Sequence, residues 1–432
     1  MIIQKHRAGI LRSATAVAAL AAYVWGVPAS AQSIEELKEQ LALLAKRIEE
    51  LEKKQEKNVV VKKDEPASEL GFAAGDFTFN VRGRIFADAA WASDNDNAMD
   101  LSATELRAAR LGIEGKAGAR TGYKFEVDFA GDEVELKDAF LSYKADHGVT
   151  YQLGQFNPPT SMEELTSSRH TTFMERSSYT DAFGFARQIG VSATIGGDNY
   201  SVSAGAFRGS AGTTGEKEGE TLAIRGHYGD KIGDGAWMLG ASIRYRNLEE
   251  GAFRYRQRPH QHLSTLRFID TGNVSSKDVL YGLEAAYVQG PFHATGEWAF
   301  VTADNAAANG GNASFNGGFV EIGMFLTDEQ RALKLGQGVW DRPKVNNPVD
   351  EGGFGAWQIA ARFDRIDLRD KGIFGGEMDT YLLGVNWYLN RYARMMLNLS
   401  RSDIENAFGV AANGADGENS VDALGLRFQV DW

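Results

Sequence analysis

Val421-Asp-Ala-Leu-Gly-Leu-Arg-Phe-Gln-Val-Asp-Trp432, the last twelve residues of the chain, decides the fold. Leu424, Leu426, Phe428, Val430 and Trp432 alternate with Gly425, Arg427, Gln429 and Asp431. A period of two sets the apolar side chains on one face of a strand and the polar ones on the other. Bacterial outer-membrane barrels are built from such strands, with lipid on one side and water on the other. The terminal aromatic resembles the signal read by the barrel-assembly machinery.

The same alternation recurs from Asp76 onward. Tyr123, Phe125, Val127 and Phe129 enclose Lys124, Glu126 and Asp128. Trp237, Leu239, Ala241, Ile243 and Tyr245 alternate with Met238, Ser242, Arg244 and Arg246. Tyr381, Leu383, Val385, Trp387 and Leu389 oppose Thr380, Asn386 and Tyr388. Sixteen or seventeen such segments can be counted. Each has about the 9–11 residues a tilted membrane strand needs, and an even number favours sixteen. A soluble β-sandwich array would explain the alternation, but not the terminal aromatic or the scarcity of apolar residues on the second parity. Trp91, Tyr143, Tyr245, Trp387 and Trp432, near segment ends, fit interfacial girdles. Short joints (Gly118 to Thr121, Gly196 to Asn199, Asn390-Arg391) fit periplasmic turns, and the polar stretches Arg208 to Glu220, Ala303 to Gly317 and Ser402 to Ser420 fit extracellular loops. The expectation is an all-β, 16-stranded antiparallel transmembrane barrel over 76–432. Residues 157–176, broken by Pro158-Pro159 and too polar for lipid, should fold inward as a constriction, because irregular backbone at membrane depth needs protein or water beside it.

The region before the barrel divides into three. Lys5, Arg7 and Arg12 precede the apolar run Ala14 to Trp25 and the small residues Ala29-Ser-Ala31, which reads as a signal peptide over 1–31 cleaved after Ala31. The run is too short to span a bilayer. Ile34, Leu37, Leu41, Leu44, Ile48 and Leu51 make a heptad seam within 32–57, a short periplasmic coiled coil that points to a trimer; a helix lying on the protein's own surface is the alternative. Residues 58–75 read as a linker. The chain has no cysteine, which leaves neither disulfides nor thiolate metal sites. Its formal charge of −12 falls to −15 once the three leader cations are removed, which argues against nucleic acid as a partner.

Several blocks resemble the phosphate-selective porin O and P family: Leu106-Arg-Ala-Ala-Arg-Leu-Gly-Ile-Glu-Gly115, Tyr123-Lys-Phe-Glu-Val-Asp-Phe129, Leu136-Lys-Asp-Ala-Phe-Leu-Ser-Tyr143 and Gly154-Gln-Phe156. So do Leu165-Thr-Ser-Ser-Arg169, Phe173-Met-Glu-Arg176 and Leu383-Gly-Val-Asn-Trp-Tyr388. They run in order through the whole barrel. The resemblance implies a trimeric, sixteen-stranded, anion-conducting porin with pore-lining arginines and a central loop constriction. By position it marks Arg84 and Arg107 as pore-lining, and Ser167, Ser168 and Arg176 as anion contacts. Four positions depart from the family pattern. Ala108 replaces an arginine, Arg110 an aromatic, Asn157 a tyrosine and Glu164 the central lysine of the constriction. A carboxylate at Glu164 would repel a bound anion by roughly 4 kcal/mol at ~4 Å and an effective dielectric near 20, with Arg110 and Arg169 offsetting part of this.

The chemistry of the residues favours a pore over a catalyst. Arginine keeps its charge and presents fixed donors to phosphate or carboxylate oxygens, and rings of such side chains set pore selectivity. Arg84, Arg110, Arg244, Arg246, Arg362 and Arg427 sit on polar parities; the alternative is that they pair with Asp88, Glu114, Asp364 and Asp431 and brace the wall. Arg107 shares the parity of Leu111 and Ile113, so either a bulge intervenes or it lies beyond the membrane edge. Arg254, Arg256 and Arg258 lead into Pro259-His-Gln-His262, read either as an anion-collecting mouth or as a solvated strand end; a metal on His260 and His262 would lack a third ligand. No nucleophile elbow or phosphate-cradling glycine loop marks an enzyme. The expected function is passive diffusion of small anions such as chloride or phosphate, with no cofactor. The alternatives are a general or cation-preferring porin, and a structural barrel tethered through its coil.

Overall fold

The computed structural model describes residues 70–95, 98–131, 133–212, 217–307, 310–405 and 417–432, together with Lys46. The signal peptide, the coiled-coil segment apart from Lys46, and linker residues 58–69 lie outside the described residues. Every described strand belongs to the second of two units, Lys62–Trp432.

β1 (Leu70–Ala74) turns back onto β2 (Phe77–Asp94), followed by β3 (Asp100–Ala117), β4 (Thr121–Asp128), β5 (Glu135–Lys144), β6 (Thr150–Phe156) and β7 (Gln188–Gly196). β8 (Tyr200–Phe207), β9 (Glu220–Ile232) and β10 (Gly235–Asn247) come next. A hairpin of β11 (Phe253–Gln257) and β12 (Ile269–Ser275) precedes β13 (Lys277–Gln289), β14 (Phe292–Ala303) and β15 (Ala313–Phe325). A second hairpin, β16 (Ala332–Lys334) and β17 (Val339–Asp341), precedes β18 (Ala356–Asp370), β19 (Ile373–Tyr388), β20 (Ala393–Glu405) and β21 (Asn419–Asp431).

Apart from β1 and the two hairpins, sixteen strands pair antiparallel in chain order, and β21 returns to β2 with Arg84 opposite Asp431. Gly83 and Trp432 exchange backbone N–H···O bonds, both at 3.1 Å, so the terminal residue helps seal the closure. A closed sheet has no free edge, which is what a β-structure needs in lipid. Leu239, Ile243, Leu383, Leu426 and Phe428 point outward and are exposed, whereas Arg244, Arg362 and Arg427 on the opposite parity are buried in the lumen.

Four features differ from the sequence expectations. Leu70–Ala74, assigned to the linker, pairs with Phe77–Val81 as an added strand. The inward loop runs over 157–187, beyond Arg176, since pairing resumes only at Gln188. The rim holding the chain end, otherwise joined by short turns, also carries residues 326–355. The second parity is not uniformly polar either. Leu280, Val301, Phe315, Ile366 and Leu368 face inward and pack around Tyr179, Phe183, Tyr255 and Phe268 from loops 157–187 and 248–276. These loops fill part of the lumen with an apolar core, so the wall beneath them is apolar on both faces.

Two ladder irregularities aim cations inward. Phe86 pairs with Ala108 and Ala87 with Leu106, which leaves Arg107 as an inserted residue in β3. Glu126 pairs with Asp138 and Val127 with Leu136, which inserts Lys137 into β5. A bulge places two consecutive residues against one partner and re-aims a side chain. The bulge alternative for Arg107 is therefore the one the fold adopts.

Candidate functional site

Loop 157–187 crosses the lumen because its donors find carboxylates on the far wall. It contains α1 (Met162–Leu165) and α2 (Ser178–Ala182). Glu297 of β14 accepts hydrogen bonds from Ser161 Oγ (2.8 Å), Met162 N (3.0 Å), Glu163 N (2.6 Å) and Tyr179 Oη (2.8 Å). Its oxygens accept the unpaired N–H groups at the helix start, where Met162 N also reaches Glu284 Oε2 at 3.0 Å. Arg362 donates to Glu163 Oε1 (2.7 Å) and Glu321 Oε2 (2.6 Å) and lies between the rings of Phe173 and Phe319. Inward-facing glycines seat the loop. A Cβ on Gly384 would lie 2.9 Å from the Phe173 ring, and one on Gly425 would lie 3.1 Å from Met174 Sδ.

Two further segments hold this loop. From the terminal rim, Trp340 N donates to Thr166 Oγ1 (3.2 Å), Arg331 to Glu321 (2.9 Å), and His170 Nδ1 meets Asp341 at 3.2 Å. From the opposite rim, Gln257 donates to Ser178 O (2.9 Å) and His260 Nε2 contacts Ser178 Oγ (3.0 Å). Gln257 and His260 thus fold inward, whereas Arg254 and Arg256 stay exposed on β11. His262 meets Glu105, not His260, and the described residues contain no group of three metal-ligating side chains. Asp364 approaches the same His260 Nε2 that faces Ser178 (3.6 Å), which is not the geometry of a proton relay.

Between these loops and β2–β6 lies an open cavity of about 880 Å³. It brings together Arg107, Arg110, Glu164, Ser168 and Arg176. Arg107 pairs bidentately with Glu175, both contacts at 3.1 Å. Burial raises the Glu175 carboxyl, but Arg107 and Arg427 outweigh it and hold the group below its ordinary value. Arg110 binds Asp128 through Nε (2.7 Å). Arg84 sits below the cavity floor, buried, donating to Ser168 Oγ (2.7 Å) and Glu126 (3.1 Å). Ser167 turns away to accept from Arg169, whose guanidinium lies 3.7 Å from Asp431. Burial and the neighbouring Arg82 lower Arg169 to about 10. Arg176 donates to the carbonyls of Glu163, Glu164 and Thr166 and pairs with the Glu164 carboxylate at 3.3 Å. Asn157 donates to the other Glu164 oxygen (3.0 Å). Arg176 therefore caps α1, and Glu164 is held against it.

Wall bracing is widespread. Arg427 pairs with Asp88 and Arg82 with Glu114, as the bracing alternative expects, whereas Asp364 faces Ser178 and His260. Sequence reasoning missed Glu126, which serves Arg82, Arg84 and Arg110 together, and Asp138, shared by Lys124 (2.6 Å) and Arg187 (2.7 Å). Their polar parity was visible in the sequence, but which cation each would meet depends on cross-strand register.

A family model described as phosphate-selective porin O and P matches residues 79–432. An uncharacterized protein of Caulobacter vibrioides is 33% identical over 378 residues, covering 84% of this chain and 75% of that protein. Porin O of Pseudomonas aeruginosa is 25% identical over 379 residues, covering 77% and 84% respectively. Among solved structures, the anion-selective porin from Comamonas acidovorans superposes with a TM-score of 0.54 at 13% identity, over 82% of this chain and 100% of that one.

Proposed function

Because the chain belongs to the phosphate-selective porin O and P family, and so to the outer-membrane channels, we propose that it conducts small anions by passive diffusion, without a bound cofactor. One observation carries this reading: Arg107, Arg110, Arg176 and Arg187 line the open part of the lumen, each fixed in direction by a carboxylate or backbone carbonyls, and Arg187 is held through Nε alone. An arginine has five donors, so a carboxylate behind it fixes its direction without using all of them. Binding in such a pore must be weak enough for release, and braced cations meet that need. Chloride and phosphate are the anions it would pass. Phosphate-specific capture is less supported, because Arg176 spends its donors on backbone carbonyls and Glu164.

The same reading takes Ala31 as the cleavage position of an exported chain, a homotrimer supported by the 32–57 coil, outer-membrane lipid around the apolar face, and insertion by the barrel-assembly machinery through β21. The pairing of nearly every cavity cation with a carboxylate favours one second reading, a general porin with weak or inverted charge preference. Replacing Arg107 and Arg110 together by glutamine separates the two. A shift of reversal potential toward cations supports anion conduction, and an unmoved potential supports the general porin.

A further inference from the structure

The bulge at Lys137 is not explained by wall construction. A regular β5 would pair with β4 equally well; the inserted residue adds an inward cation beside Asp138. Lys137 lines the same cavity as Arg110 and Arg187. Each of the three is held from behind. Arg110 uses Nε on Asp128 and Nη1 on Glu126 (3.4 Å), which leaves Nη2, and Arg187 uses Nε on Asp138, leaving both of Arg187's terminal nitrogens without an acceptor among the described residues. Lys137 meets Glu135 at 2.5 Å, but Glu135 is 64% exposed, and a pair at such a surface holds weakly. Three cations from two strands and the end of the inward loop thus converge on open space with donors to spare.

The surroundings limit what can bind. Glu126, Asp128, Asp138 and Glu164 stand close behind or beside the three cations, so a second negative charge on a ligand meets repulsion from several carboxylates. A single oxyanion group faces mainly the donors. Phe86, Met174 and Phe185 line the same cavity and can take up hydrocarbon surface, which inorganic phosphate does not have.

We propose that Lys137, Arg110 and Arg187 form a capture subsite at the outer mouth for small organic monocarboxylates, which it prefers to inorganic phosphate. This rests on the anion-channel reading and names its solute class. Arg187 can be neutralised without stranding Asp138, which keeps Lys124, and loss of Lys137 strands only an exposed Glu135.

The test is a bi-ionic potential measurement on the purified full-length channel in planar bilayers, with chloride on one side and acetate, benzoate or phosphate on the other. Wild type should pass benzoate more readily than phosphate. Lys137→Gln with Arg187→Gln should lower the benzoate-to-chloride permeability ratio about three- to tenfold. Lys137→Arg should retain it, and heat-modifiable gel mobility checks that each barrel is assembled. Anion preference unchanged by the double replacement would overturn the subsite and leave the channel reading standing. Phosphate passing ahead of benzoate would overturn the solute class. Cation preference in wild type would overturn both.

Discussion

Glu297 should control whether the channel is constricted at all. Its carboxylate receives four donors from loop 157–187, at 2.6–3.0 Å. A hydrogen bond contributes about 0.5–1.5 kcal/mol net, and orphaned buried donors cost more than the bond alone. In Tyr179→Phe one donor is lost, and the loop should loosen by about 1–2 kcal/mol. In Glu297→Gln the amide oxygen can serve the three donors at Oε2, but the NH₂ then faces the Glu163 N–H. That exchange of attraction for repulsion should cost about 2–3 kcal/mol. In Glu297→Ala, Met162 N keeps Glu284 Oε2 (3.0 Å) and the Ser161 and Tyr179 hydroxyls keep each other (3.0 Å), so the Glu163 N–H alone is stranded outright, and the cost should reach about 3–5 kcal/mol. At about 1.4 kcal/mol per tenfold, this raises the population of undocked loop by roughly two to three orders of magnitude. The assay is single-channel recording alongside tryptic cleavage at Arg169 and Arg176. Conductance and cleavage should both rise in the order Tyr179→Phe, Glu297→Gln, Glu297→Ala, while the barrel stays heat-modifiable. Wild-type conductance and protease resistance in Glu297→Ala would refute the reasoning.

Other perturbations follow from the same packing. Gly384→Val should push the Phe173 ring from its seat at a cost of about 1–3 kcal/mol, detectable as open-channel noise. Trp340→Ala removes the buried indole that donates to Thr295 and carries the Arg331 guanidinium on its face, with a loss of about 3–5 kcal/mol and increased proteolysis of residues 326–355. Deleting Arg107 should leave an assembled barrel, because the deletion restores regular β2–β3 pairing; it should still weaken anion preference in reversal-potential measurements. Glu175 binds protons less readily folded than unfolded, so its contribution is complete above the unfolded value of about 4.3 and fades as pH falls through the lower folded value. In Arg107→Gln the acid-induced rise in channel noise should begin at a higher pH.

The outer face of the barrel was legible because lipid imposes one rule on every strand: residues such as Leu239, Leu383 and Phe428 keep to the outward parity. The lumen face obeys no single rule. Ile366 and Leu368 face inward yet are apolar, because Tyr255 and Phe268 from a loop more than ninety residues earlier cover them. Periodicity cannot report a loop that returns to the lumen, which is why 326–355 went unread and why loop 157–187 seemed to end at Arg176. Site residues were legible as charges but not as pairs. Arg107 was identifiable as out of parity, and the bulge resolves it; the departure at Glu164 was visible, but its clamp by Arg176 and Asn157 requires the folded α1. Lys137 carried a weaker signal of the same kind, lying next to Asp138 on what a regular strand would make opposite faces.

The most direct test of anion conduction is the zero-current potential of the purified channel in a planar bilayer under a potassium chloride gradient. The arrangement of Arg84, Arg107, Arg110, Lys137 and Arg187 predicts a potential of the sign set by chloride as the more permeant ion. A potential of the opposite sign, set by potassium, would mean that these cations only brace the wall and that the lumen carboxylates govern what passes.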